Sequence, residues 1–303
     1  MVLAKRIVVC LDVRKNEQGI PVVTKGLNYD VRDENAKIRN LGYPAEMARN
    51  YSEQGADEIC FLDITATAHD RKLMLPVLEE TAESVFVPLS VGGGIRGDNL
   101  DYVHDLFRAG ADKVSLGSIA VTDVLDYINK GYRKNGKSMI ERISESYGSQ
   151  ACVISVDPKR RYVSCPKDIN HPVIETKEFG PNGERYFWSQ CSIKGGREFV
   201  DLDTITLVRI SEELGAGEIL LNSMDRDGTG KGYDVELIGA VSKAVRVPVI
   251  ASSGAGCEEH VYQVFSQTDC SAALIAGLFH RGELTIPGLK QYLYDKGLPI
   301  RLD

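Results

Sequence analysis

Three things are scarce in this sequence: paired cysteines, positive charge and long apolar runs. Its seven cysteines are scattered, with no Cys-x-x-Cys pair and no Cys/His cluster at zinc spacing, which excludes a zinc ribbon and a thioredoxin-type redox motif. Several lie in or beside apolar runs (IVVCL, EICFL, QACVI), so reduced, buried thiols are expected rather than a nucleophile. Lys and Arg number 36 against 43 Asp and Glu, giving a formal net charge of −7 and a pI near 5.4. That balance removes the clustered basic surface on which nucleic-acid binding rests, so any anionic ligand must be held locally. No stretch approaches the roughly 18 apolar residues of a membrane span, and the apolar run in MVLAKRIVVCLDV is too short and too early for a signal peptide. A cytoplasmic or plastid protein, with no membrane and no nucleic-acid partner, is the expectation. Histidines are few, and His69, His104, His171 and His260 lack paired acids in sequence, while His280 reads as a packed residue at a helix start. No metal and no cofactor are expected.

What is present is a rhythm. Apolar, β-branched runs of strand length recur eight times, at 7–13, 58–64, 86–93, 113–118, 151–157, 218–225, 247–254 and 272–277. Near-continuous apolar runs are what strands covered on both faces of a parallel sheet should show. Helical patterns lie between most of them, at 44–55, 71–85, 202–215 and 287–297. The order βα repeated eight times predicts one (β/α)8 TIM barrel of 303 residues. The second half echoes the first: GADEICFLDIT resembles GAGEILLNSMD, and VPLSVGGGI resembles VPVIASSGAG, both offset by 160 residues. Two duplicated half-barrels, roughly 1–148 and 149–303, account for the echo. Two connections are too long for simple βα loops, residues 14–42 after the first strand and 159–199 after the fifth, and such insertions usually serve the site. The second contains PNG and KGG turn signals and reads as a β-hairpin excursion.

In this architecture chemistry sits at the C-terminal ends of the strands. Asp12 ends the first strand and Asp157 the fifth, so the duplication sets two acids on opposite sides of one mouth. Such a pair can divide proton donation and acceptance if their surroundings separate their pKa values; either acid could instead cap the following turn. Asp63, in FLDIT, is a third acid of the same kind. Glycine clusters also fall at strand ends: Gly93 and Gly94 after strand three, Gly117-Ser118 after strand four, Ser252-Ser253-Gly254 after strand seven and Gly277 after strand eight. Backbone N–H groups there can approach an oxyanion, and barrels often hold phosphate on the last two of these loops. Two such cradles, half a barrel apart, imply a substrate with a phosphate at each end. Asp227-Gly228, in DRDGTG, would complete the second cradle. Lys25 lies in the first long loop, from which a cation can reach over a bound phosphate.

Taken in order, LAKRIVVCLDV, VVTKG, FLDIT, SVGGGI, GADKVSLGS, VISVDPKR, GAGEILLNSMDRDGTGKGYD, IASSGAG and GLFHRGE resemble the cyclase component of imidazole glycerol phosphate synthase, of histidine biosynthesis, over essentially 3–303. The insertion PNGERYFWSQCSIKGGRE looks like the eukaryotic form, whose cyclase is fused behind a glutaminase domain. The resemblance implies that ammonia adds to a bisphosphorylated formimino-aminoimidazole carboxamide ribulosyl nucleotide, giving imidazole glycerol phosphate and aminoimidazole carboxamide ribotide. By the same resemblance Asp12 and Asp157 are the catalytic acid and base, Lys25 clamps the substrate, and the glycine loops hold its phosphates. Gly117 and Asn222 depart from an amide-bearing residue and a threonine common in bacterial relatives. Arg6, Glu58, Lys113 and Glu218, before strands one, two, four and six, match a charged ring at the barrel bottom through which ammonia enters from a glutaminase partner; ion pairs closing the floor are the other reading, and Gln150 and Asp112 would join the contact. The sister phosphoribosyl isomerase, and a silent barrel that only binds a glutaminase, are the alternatives.

Overall fold

The computed structural model describes residues 3–24, 40–64, 74–97 and 99–302. Lys25 and His69 lie outside them. Eight parallel strands close on themselves: β1 (Arg6–Lys15), β2 (Glu58–Asp63), β3 (Leu89–Gly92), β4 (Lys113–Leu116), β5 (Cys152–Val156), β6 (Glu218–Asn222), β7 (Val249–Ser252) and β8 (Ala272–Ile275). Each pairs with the next, and closure comes from β8 beside β1 in the register Arg6↔Ala272 to Val9↔Ile275. The expected (β/α)8 barrel is therefore present.

Helices follow the strands as patterned. They are α1 (Pro44–Glu53), α2 (Leu75–Ser84), α3 (Leu100–Arg108), α4 (Ser118–Asn129), α5 (Met139–Tyr147), α6 (Thr204–Leu214), α7 (Val235–Ala244), α8 (Glu258–Gln267), the short α9 (Gly277–His280) and α10 (Ile286–Asp295). Their ends are written locally. Pro44 opens α1, a Ser138/Glu141 capping box starts α5, the Asp203 carboxylate accepts from Thr206 N–H to start α6, and Gly215 in left-handed conformation ends it.

Side chains alternate across each strand, and this sorts the core into two shells. Ile7, Val9 and Leu11 face the helices in the large outer cluster. Val8, Cys10, Cys60, Val153, Leu220, Ile250, Ala272 and Leu274 fill the barrel interior. The same period carries the column Arg6, Val8, Cys10, Asp12 from floor to mouth, two apolar layers separating the charges at either end. Five cysteines are buried and two half-buried, all as free thiols, and burial first of all pushes Cys152 up to about 12.

Both insertions build antiparallel structure. β1 runs past the rim because Asp12–Lys15 pair with residues 21–24, and a third short strand, Asn40–Gly42, pairs beside those. After β5, strands Lys159–Val163, Tyr186–Ile193 and Glu198–Asp203 form the expected hairpin excursion, with Ile174–Glu175 at its edge. Arg160 anchors it. Its guanidinium, 5% exposed, bonds Asp234 and Glu236 on the β6–α7 side and Thr176 within the excursion, and lies over the Phe187 ring.

Candidate active site

A cavity of about 940 Å³ opens at the C-terminal ends of the strands, where the sequence placed the chemistry. Asp12 and Asp157 both line it, with Asp63, Asp227, Gly228, Ser252, Ser253, Gly254 and Gly277. The two acids have unlike surroundings. Asp12 accepts a long contact from the Cys10 thiol, 3.7 Å, and its β2 register partner is the apolar Leu62. Burial, then the nearby Asp227 charge, raises its carboxyl to about 6, the Cys10 contact opposing. Asp157 instead accepts from the Asn222 amide at 2.9 Å. That amide oxygen in turn accepts from Ser252 Oγ at 3.1 Å and from Ser253 Oγ.

The turn after β7 is built tightly. Ser253 and Gly254 are both left-handed, at φ 75° and 100°, and a Cβ on Gly254 would lie 2.2 Å from the Gly232 carbonyl oxygen. Only glycine fits at 254. The turn after β3 repeats the geometry with Gly93 and Gly94 at φ 107° and 70°, Gly93 pressed on the Asp63 carbonyl. Yet Gly93, Gly94, Gly117 and Ser118 do not appear among the residues lining the cavity. Ser118 is the first residue of α4 rather than the end of a strand, and its hydroxyl accepts from Lys194 N–H at 2.8 Å. The tip of the excursion, 194–197, thus sits at the start of α4 and itself lines the cavity. Gly117 has ordinary negative φ and open space around its Cβ position, so no steric reason demands glycine there.

Sequence reasoning missed other lining residues. Arg14, Lys194, Arg197 and Arg281 bring positive charge to a protein that is negative overall. His280 closes α9 rather than opening a helix, and it lines the cavity. Its Nε2 is 3.0 Å from the Cys10 carbonyl, which can only accept, so Nε2 carries a proton, and Nδ1 shares a hydrogen bond with the Tyr51 hydroxyl at 2.7 Å. No pattern in the primary sequence links positions 10, 51 and 280. Among the described residues no group of three or more His, Cys, Asp or Glu is arranged to hold a metal, and no helix is long and apolar enough to cross a membrane.

At the opposite end Arg6, Glu58, Lys113 and Glu218 meet as a closed ring. Arg6 bonds Glu58 at 2.6 Å and also Glu218; Lys113 bonds Glu58 at 2.9 Å and Glu218 at 2.7 Å. Both carboxylates are buried. Desolvation and Glu218 raise the Glu58 carboxyl, opposed by Lys113 and Arg6. Asp112, which accepts from Leu89 N–H, and the exposed Gln150 also lie at strand starts.

Fold and mouth together define a (β/α)8 barrel with paired acids between glycine turns on its C-terminal face. The chain belongs to the histidine biosynthesis protein family, which it matches over residues 6–285. It is 51% identical to the imidazole glycerol phosphate synthase hisHF of Schizosaccharomyces pombe, over 96% of this chain and 56% of that protein. It is 48% identical to the chloroplastic imidazole glycerol phosphate synthase hisHF of Arabidopsis thaliana, over 99% of this chain and 53% of that one. With the imidazole glycerol phosphate synthase subunit HisF of Methanosphaera stadtmanae it shares 47% identity over 99% of this chain and the whole of that subunit. The chain thus spans about half the length of the fungal and plant relatives and all of the archaeal one.

Proposed function

We propose that this chain performs the cyclase reaction of imidazole glycerol phosphate synthase. Ammonia adds to the ketone of the bisphosphorylated formimino-aminoimidazole carboxamide ribulosyl nucleotide, and the adduct cyclises and splits into imidazole glycerol phosphate and aminoimidazole carboxamide ribotide. The observation that carries this reading is one cavity holding two carboxylates in different surroundings, beside a glycine turn suited to an anion, in a chain that matches a whole HisF subunit end to end. Asp12, which holds its proton to about pH 6, serves as the acid, and Asp157, held by an amide donor, as the base. Ser252, Ser253, Gly254, Gly277, Asp227 and Gly228 form one phosphate site, and Gly93, Gly94, Gly117 and Ser118 the other, with Lys25 as a clamp. The floor ring admits ammonia from a glutaminase, fused N-terminally or separate. A plastid location is consistent with the chloroplastic relative.

The test is direct. Purified chain with ammonium salt should consume the bisphosphorylated nucleotide and release both products, at a rate that at any one pH follows the concentration of free ammonia. Glutamine should be inert, since none of the seven cysteines lies in a Gly-x-Cys-x-Gly elbow. Absence of turnover with ammonium would refute the reading, and isomerisation of the aldose-form precursor instead would favour the sister isomerase.

A further inference from the structure

Resting on that reading, we propose that Asn222 and Ser253 form a positioning pair that couples phosphate in the turn after β7 to the orientation of Asp157. The 160-residue repeat supplies an internal control. Asn222 corresponds to Leu62, and Ser253 to Gly93. In the first half the pair is apolar side chain and glycine; in the second it is amide and hydroxyl. Both turn residues adopt the left-handed backbone, at φ 107° for Gly93 and 75° for Ser253. Glycine is the default in that conformation, and a residue with a Cβ carries a steric cost there. Of the described non-glycine residues only three have positive φ; Tyr132 and Lys194 are exposed turn residues, whereas Ser253 is half-buried at the end of β7. Its side chain has a use: the hydroxyl donates to Asn222 Oδ1, while Asn222 Nδ2 donates to Asp157 Oδ1 at 2.9 Å. Ser252, the last residue of β7, donates to the same oxygen at 3.1 Å.

The amide is therefore fixed at both ends. Its oxygen accepts from two hydroxyls of the turn, which leaves only its NH2 to face Asp157, and a carboxylate can only accept from it. A phosphate oxygen settling on the turn competes for or reorients the serine hydroxyls, and the amide links those hydroxyls to the base. Asp12, opposite Leu62, has no such link through the equivalent position. Asn222 and Ser253 thus act through Asp157 and are positioning residues.

The experiment measures kcat and KM for the ammonium-driven reaction, inorganic phosphate affinity by calorimetry, and thermal unfolding, for wild type, Asn222→Ala, Asn222→Thr and Ser253→Gly. Asn222→Ala should lower kcat about 30-fold with KM within about 3-fold, since misplacing a reacting group by about 1 Å costs up to about 100-fold. Asn222→Thr, which keeps a hydroxyl donor toward Asp157, should recover part of that loss. Ser253→Gly suits the backbone and should unfold no earlier than wild type, yet lose about 5-fold in kcat, with phosphate affinity changed as well because the hydroxyl that phosphate engages is gone. A Ser253→Gly variant with wild-type kcat, or an Asn222→Ala variant whose loss lies wholly in KM, would overturn the coupling while leaving the cyclase reading intact; an inactive wild type would instead overturn that reading.

Discussion

The turn after β7 and the turn after β3 share one backbone design and differ in whether they line the cavity. Each carries two successive left-handed residues, and each presses a glycine onto a neighbouring carbonyl oxygen. The β7 turn lines the cavity, whereas Gly93 and Gly94 do not, and the start of α4 meets the excursion tip through Lys194 and Ser118. Duplication supplies equivalent frames, and the insertion after β5, placed on one side of the mouth only, makes them unequal. The acids diverge in the same way. Asp12 faces Leu62 and Asp227 and its carboxyl is raised, whereas Asp157 faces the Asn222 amide, so two carboxylates at equivalent strand ends sit in different surroundings.

The largest effect that would break this comparison is loss of either acid. Asp12→Asn should lower kcat by about 10²–10⁴ with substrate binding within a few-fold, because the amide keeps the shape but exchanges no proton, and Asp157→Asn should behave similarly but less completely. Steady-state kinetics decides; two variants with wild-type kcat would leave the division of labour without support. Next is the floor. Lys113→Met leaves Glu58 and Glu218 buried beside one another with Arg6 alone, and removal of one partner from such a network costs roughly 3 kcal/mol, readable by denaturant unfolding. If the ring is also the ammonia entrance, that variant should disturb turnover driven by glutamine and an added glutaminase more than turnover driven by ammonium.

Asp227→Asn sharpens the contrast between the acids. A step that needs protonated Asp12 slows as pH rises through about 6. Neutralising Asp227 removes a like charge, lowers the Asp12 carboxyl and moves that limb to lower pH, provided rates are compared at constant free ammonia. A limb that stays in place would detach Asp227 from Asp12. The smallest effect belongs to Ser118→Ala, which deletes the acceptor for Lys194 N–H. One hydrogen bond is worth about 1 kcal/mol, so KM should rise about 5-fold with kcat unchanged.

The barrel was legible because burial on both faces writes strands as continuous apolar runs, and the period of two carries Arg6 to the floor and Asp12 to the mouth. Strand ends were less so. Residues 86–88 and 117–118 are apolar or small enough to extend the pattern, but β3 begins at Leu89, and Ser118 already belongs to α4. The ring and both acids were found through motif resemblance and strand position. His280 and Arg197 were not, because their place depends on contacts between distant segments that leave no local periodicity, while Arg14 shares the face of Asp12 but falls in the segment read as a loop. The excursion was read as a hairpin from its turn residues, but turn chemistry says nothing of where the tip docks.

One measurement reaches the central claim, that each half of the barrel gives an acid and an anion-holding turn to a single mouth. A crystal grown at high inorganic phosphate, in a lattice leaving the mouth open, should show two separate anions, one held by backbone N–H groups at Gly254 and Gly277 and one at Gly94 and Gly117-Ser118. The first should appear at lower phosphate, since its turn already faces the cavity. A single anion at the β7 turn, with the β3 turn empty and the excursion tip still bonded to Ser118, would contradict the account and remove the bisphosphate argument.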